Sequence, residues 1–203
     1  IFPLGDPPDY TPAPDTSVAA MAARMGRDPA ELGYDLLLEN DGKAILYRPL
    51  SNYAYGDLET VKDMMRHPNS LVGLGDGGAH VGVLTDASAI TYMLTHWTRD
   101  RSRGERLPLP WAIKRLTRDN AAAIGLNDRG LISIGKKADI NVIDYDRLSI
   151  RPPEVLYDLP AGGKRMVQRT EGYDATIVSG EVVYRNGAET GALPGRLVRG
   201  ARA

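Results

Sequence analysis

Between Gly125 and Gly130 the sequence changes period, and the change limits what each side can fold into. Upstream, apolar residues recur at helical spacing and alternate with short apolar runs, the pattern of αβ units. Downstream, short β-branched runs are separated by Gly and Asn-Gly turns, which no long helix tolerates. The expected fold class is therefore α/β before the boundary and β-rich after it. The expected domains are residues 1–127, residues 128–190, and an extended Gly/Pro/Arg-rich tail over 191–203.

Within the first part, the prolines at 3, 7, 8, 12 and 14 predict an extended segment over residues 1–15. Asp15 or Thr16 is expected to cap a helix that runs to Met25 and ends at Gly26. Asp28-Pro29 reads as an N-cap with Pro at the first helical position. The helix it opens should carry Leu32, Leu36 and Leu37 on one face and end near Asn40-Asp41-Gly42. Residues 43–48 read as a strand. Residues 57–67 read as a helix with Leu58, Val61, Met64 and Met65 inward, stopped by Pro68. Residues 71–74 read as a parallel strand, and 87–97 and 109–124 as helices. Beyond the boundary, strands are expected at 130–134, 139–145, 174–178 and 182–185. Gly135, Gly180 and Asn186-Gly187 supply the turns.

The segment LVGLGDGGAH (Leu71–His80) sets a carboxylate, Asp76, just past the carboxyl end of an apolar strand. In barrels and open α/β sheets that end is where sites are built. An ionised Asp76 could hold a divalent metal or move a proton; it could equally cap the next element through an Asx turn. His80, in the same Gly-rich loop, could bind metal or substrate, or sit at the surface with one hydrogen bond. His67 is expected at a helix C-terminus with no catalytic part, and His96 to be packed or partly exposed inside a helix beside Trp97. The loop RDRSRGER (Arg99–Arg106) mixes signs and reads as solvated and salt-bridged, with capture of a substrate carboxylate the lesser alternative. Gly162-Gly163-Lys164 lacks the spacing of a phosphate loop. Tyr53 and Tyr55 read as packing residues or as the wall of a pocket.

Composition removes several classes of function. Lys and Arg number 25 against 26 Asp and Glu, so nothing favours a nucleic-acid or polyanion partner. With no cysteine there is no disulfide framework and no thiolate site. No apolar run approaches the length of a membrane span and no signal peptide is visible, so no membrane partner is expected and the expected location is cytoplasmic.

These segments together resemble the amidohydrolase superfamily, and within it the N-acyl-D-amino-acid deacylase (D-aminoacylase) group. The resemblance is carried by LVGLGDGGAHVG (Leu71–Gly82), THWTRDRSRGERLPL (Thr95–Leu109) and LTRDNAAAIGLNDRGLISIGKKADINVID (Leu116–Asp144). YDLPAGGKRMVQ (Tyr157–Gln168) and TGALPGRLVRG (Thr190–Gly200) are the narrower motifs that point to the deacylases. The resemblance implies the last αβ units of a TIM-barrel hydrolase followed by the C-terminal share of a small β-sandwich. It implies a divalent metal, zinc, and amide hydrolysis of N-acyl amino acids by metal-activated hydroxide. Asp76 matches the aspartate after barrel strand 8 that faces the metal and shuttles the proton. His80 matches the histidine of the D-G-x-x-H pattern and is assigned to substrate. Gly75 stands where the group often has serine. The family's His-x-His pair, two later histidines and bridging Cys or Lys have no counterpart here, since the chain has three histidines, no His-x-His and no cysteine. A TIM barrel takes about 250 residues, more than the 203 of this chain, which opens on Ile1. The expectation is a C-terminal portion, inactive alone, that pairs with the missing barrel part or with itself. A non-catalytic truncated module and a cyclic-amidase-like hydrolase are the alternatives.

Overall fold

The computed structural model describes residues 1–73, 80–83 and 86–199. The chain divides into two compact units, Ile1–Ser70 and Leu71–Ala203.

In the first unit, β1 (Phe2–Pro3) pairs antiparallel with β2 (Leu46–Tyr47), the central part of the strand expected over 43–48. Between them lie α1 (Val18–Met25) and α2 (Pro29–Gly42). The cap of α1 differs from expectation. Pro14 starts a 3-10 turn that consumes Asp15 and Thr16, and Ser17 caps the helix instead, its side chain accepting from Ala20 N at 3.2 Å. Gly26, in left-handed conformation, closes it as expected. Asp28 caps α2 by accepting from Ala30 N (2.8 Å) and Glu31 N (3.1 Å). Regular helix stops at Leu38, because Asn40 and Asp41 both take positive φ. Val18, Ala22 and Leu32 form the buried core of the unit, with Met21, Leu36 and Leu46 packed against it. Leu37 is exposed: five residues on from Leu32, it falls on a different face of the helix. In α3 (Glu59–Arg66), Val61 and Met65 are half-buried but Met64 is exposed, so only part of the expected inward stripe is inward.

In the second unit, α4 (Ala89–Thr95) continues into a π turn over His96–Asp100. Helix α5 (Leu109–Lys114), a π turn and α6 (Asn120–Ala123) make one helical stretch, closed at Gly125 with φ +76°. The β-rich part is wholly antiparallel: β3 (Ile140–Ile143), β8 (Tyr173–Val178), β9 (Glu181–Arg185) and β10 (Ala188–Glu189) form a sheet in the order β10-β9-β8-β3. Asn186 (φ +49°) and Gly187 (φ +79°) make the expected hairpin turn between β9 and β10. Two further pairs join β4 (Ser149–Ile150) to β7 (Thr170–Glu171), and β5 (Glu154–Leu159) to β6 (Gly163–Val167).

Residues 130–134 form no strand. Gly130 packs its backbone against the α5–α6 stretch, where a Cβ would fall 2.9 Å from that of Ala121 and 3.0 Å from Thr117 O. The segment leaves along the helix and finds no ladder, with Ile132 and Ile134 at 87% and 104% exposure. Beside it lies an apolar cavity of ≈ 840 Å³ whose walls include Ile90, Leu94, Leu109, Ile113 and Ile140.

The loop 99–106 fits the expectation in part: residues 102–106 are exposed and Arg99 pairs with Asp100 at 2.6 Å, but Arg101 turns inward. Arg101 is buried, its guanidinium 4.4 Å over the Trp97 ring, donating to Arg103 O (2.8 Å) and Glu105 O (3.2 Å). Arg99 donates to the carbonyls of Tyr145, Asp146 (3.3 Å) and Leu148 (2.7 Å), so it ties the helical stretch to the turn before β4. Arg99 and Arg101 thus brace the helical stretch through backbone carbonyls, while Arg103 and Arg106 stay exposed. Among the described residues, no helix is long and apolar enough to cross a membrane.

Candidate functional site

Asp76 lies outside the described residues, as do the glycines at 75, 77 and 78. The residues flanking it are described on both sides, and each flank is held by one hydrogen bond from a distant element. On the upstream side, residues 71–73 form no strand; no partner strand lies beside them among the described residues. The side chain of Asn120, at the start of α6, takes the carbonyl of Val72 at 2.6 Å. The amide Nδ2 is the donor, and the amide oxygen, Oδ1, is buried without a hydrogen-bond partner among the described residues.

On the downstream side, His80 is exposed and takes a left-handed φ of +53°, and its carbonyl accepts from Val83 N at 2.9 Å. A non-glycine residue in that region is uncommon, and here it makes the tight turn of residues 80–83. Met166 N of β6 donates to Val81 O at 2.6 Å, so the turn runs along the outer edge of the β5–β6 hairpin. Gly82 faces Lys164: a Cβ there would lie 3.7 Å from Cε and 4.0 Å from Cγ of the lysine. Further on, Ser88 Oγ donates to Gln168 Oε1, and Gln168 Nε2 donates to Arg151 O at 2.9 Å. Thr91 and Tyr173 share a hydroxyl–hydroxyl bond of 2.9 Å.

The structure therefore sets the His80 turn against the hairpin built by the YDLPAGGKRMVQ motif. That hairpin was missed in the sequence, as were Asn120 and Lys164. The available signal was the turn tripeptide Pro-Ala-Gly between two strand-length runs, EVLYDL and GKRMV. Around the hairpin the guanidinium of Arg165 meets Asp158 through two bonds of 2.8 and 2.7 Å. That hydrogen-bonded contact holds the Asp158 carboxyl below its ordinary range.

The other sequence-named residues are described within their own units. His67 ends α3, and its Nδ1 accepts from Asn69 N at 3.2 Å. His96 stacks on Tyr92 (4.6 Å, 6° between planes) and meets Trp97 edge-on, the packed position expected of it. Tyr53 donates to Pro12 O at 2.6 Å, whereas Tyr55 is exposed. Among the described residues no three His, Cys, Asp or Glu side chains come together as a metal-binding group. A catalytic zinc takes about three protein ligands, so the described donor set does not fit one.

Residues 7–184 match a family described as the amidohydrolase family. Two similar curated proteins are each a "5-methylthioadenosine/S-adenosylhomocysteine deaminase". The one from Halobacterium salinarum is 27% identical over 159 residues, covering 74% of this chain and 34% of that protein. The one from Pelotomaculum thermopropionicum is 34% identical over 116 residues, covering 52% of this chain and 26% of that protein. The chain thus spans about a third or less of the length of the curated relatives it matches. No solved structure matches.

Proposed function

The chain belongs to the amidohydrolase family, and from that membership we propose that it is the C-terminal portion of a metal-dependent hydrolase acting on a C–N bond, the amide of an N-acyl amino acid. The observation that carries the reading is the family match over residues 7–184, which takes in both the LVGLGDGGAH and the DLPAGGKR segments. In this reading Asp76 holds the proton that reaches the leaving amine, and His80, on its exposed turn, contacts substrate. The family generally uses a divalent metal; zinc is the one proposed, and its further ligands come from outside the described residues. The proposed location is the cytoplasm.

A second reading is deamination of an adenosine derivative, favoured by the activity for which both curated relatives are named. The exposed residues 131–134 support a third element of the proposal, association with another polypeptide that covers them.

The test is a paired assay of the metal-loaded protein, with the rest of the hydrolase supplied, and of its Asp76→Asn variant. Release of free amine from N-acyl amino acids, lost at least about a hundredfold in the variant, supports the deacylase. Ammonia release from 5-methylthioadenosine alone supports the deaminase. Turnover of neither by the wild type refutes both.

A further inference from the structure

Two of the cations that border the apolar cavity of the second unit have no carboxylate beside them. Lys114 pairs with Asp119 at 2.8 Å. Lys137 pairs with Asp139 at 2.9 Å, and the same carboxylate also takes Arg129 at 3.1 Å. Arg118, on the turn between α5 and α6, is exposed and has neither an ion pair nor a side-chain hydrogen bond among the described residues. Lys136 spends its ammonium on the carbonyl of Asn127 and meets no carboxylate among the described residues. Asp139 is the one carboxylate among the described residues that line the cavity, and it is already shared by two cations. The border of the cavity therefore carries an excess of positive charge.

The loop that supplies one wall is fixed in place. Gly130 packs so closely on the helical stretch that its Cβ position lies 3.0 Å from Thr117 O and 3.1 Å from Arg118 Cα. Lys137 N donates to Asp128 O at 2.7 Å, which closes the loop at its base, and Lys136 N donates to Ser133 O at 3.1 Å. The apolar lining comes from Leu94 and Ile113 of the helices, Ile140 and Ile143 of β3, and Leu131 and Ile132 of the loop. Ile113 is 40% exposed and Ile132 87%, so apolar surface is open to an occupant on the helix and on the loop alike. At ≈ 840 Å³ the space has the size of a small-molecule site. An apolar space of that size, bordered by two unanswered cations, is complementary to a molecule with a long apolar body and one anionic end.

We propose that this cavity binds a medium-chain fatty carboxylate. The guanidinium of Arg118 and the ammonium of Lys136 hold the carboxylate, and the chain lies against Ile113, Ile140 and Ile132. A planar guanidinium can donate two parallel bonds to a carboxylate, and lysine adds a mobile point charge. The chain loses its contact with water along the apolar walls, which favours binding whatever the head group. The cations then decide which head group is accepted. A polypeptide covering residues 131–134 is the competing occupant.

Titration calorimetry of the full chain with decanoate, 1-decanol and decylammonium, each below its micelle concentration, tests this. The variants are Arg118→Ala with Lys136→Ala, Arg118→Lys, and Ile132→Asp, all at exposed positions; circular dichroism checks that each keeps the fold. The wild type should bind decanoate at least about fivefold more tightly than 1-decanol, with decylammonium weakest. Added salt should shrink that preference. The double alanine variant should lose it, Arg118→Lys should keep most of it, and Ile132→Asp should weaken decanoate more than 1-decanol. Equal affinity of the wild type for all three ligands, or an unchanged affinity of the double variant for decanoate, overturns the proposal. So does a wild type that binds none of them. Sedimentation velocity on the same samples shows what replaces it in that case: a larger species that Ile132→Asp returns to monomer assigns the wall to a second polypeptide.

Discussion

Gly172 joins β7 to β8, and replacing it with alanine should be among the most damaging single-methyl changes in the second unit. Its φ is +95°, and a Cβ would lie 2.6 Å from Leu148 Cα, 2.8 Å from Leu148 N and 3.0 Å from Asp144 O. All three are backbone atoms, and none can give way cheaply. Leu148 is fully buried, its carbonyl accepts from Arg99 at 2.7 Å, and Asp144 N donates to Gly172 O at 2.8 Å. The left-handed conformation costs a residue with a Cβ about 1–2 kcal/mol. Forcing an extra carbon into packed surroundings typically costs a further ~1–3 kcal/mol. A total of about 2–5 kcal/mol should lower Tm by roughly 5–15 °C in a chain of this size. Gly135 separates the two causes. Its φ is +84° with nothing within 4 Å of the Cβ position, so Gly135→Ala carries the conformational cost alone. Thermal unfolding followed by circular dichroism should rank Gly172→Ala well below Gly135→Ala. Equal midpoints for the two variants would refute the close-approach argument and leave only the backbone conformation.

Two other outcomes follow from single side chains. Arg101→Leu removes the guanidinium over Trp97 and leaves the carbonyls of Arg103 and Glu105 without those donors. Denaturant titration should show a loss of about 2–4 kcal/mol, with a red shift in tryptophan emission, and an unchanged midpoint would mean that water replaces the guanidinium. Burial, with smaller contributions from Tyr53, Tyr10 and Asp9, pushes the Tyr47 hydroxyl up from 10.0 to about 12. Because the folded value is the higher one, its contribution is intact below pH 10 and is lost as pH rises from about 10 to about 12, on the order of 2 kcal/mol at most. Tyr47→Phe should flatten the alkaline limb of the stability curve, and a limb of the same slope in the variant would assign it to other groups.

What could be read in advance was what neighbouring residues decide. Asp28-Pro29 opened a helix because cap and fixed φ act within one turn, and Asn186-Gly187 made its hairpin because both residues accept positive φ. Reading failed where a longer range competes. Asp15 lost its cap to a 3-10 turn that begins at Pro14, only three residues before the real cap. Residues 130–134 have every local mark of a strand, but a strand is half of a pair, and their neighbour is the helix on which Gly130 rests. The hairpin β5–β6 was overlooked for the opposite reason: β5 is largely exposed and β6 half-buried on both faces, so neither has the one-sided alternation that betrays a half-buried strand.

The candidate site divides along the same line. Glycines on either side single out Asp76 in the sequence, though it lies outside the described residues. Nothing local marks Asn120 or Met166, which grip the flanks of that loop from 48 residues away along the chain and from the far end of another element. Lys164 is a further case: beside Gly162-Gly163 it lacks the spacing of a phosphate loop, and its nearness to Gly82 arises only once β6 has bonded to Val81, a pairing that no neighbouring residue announces.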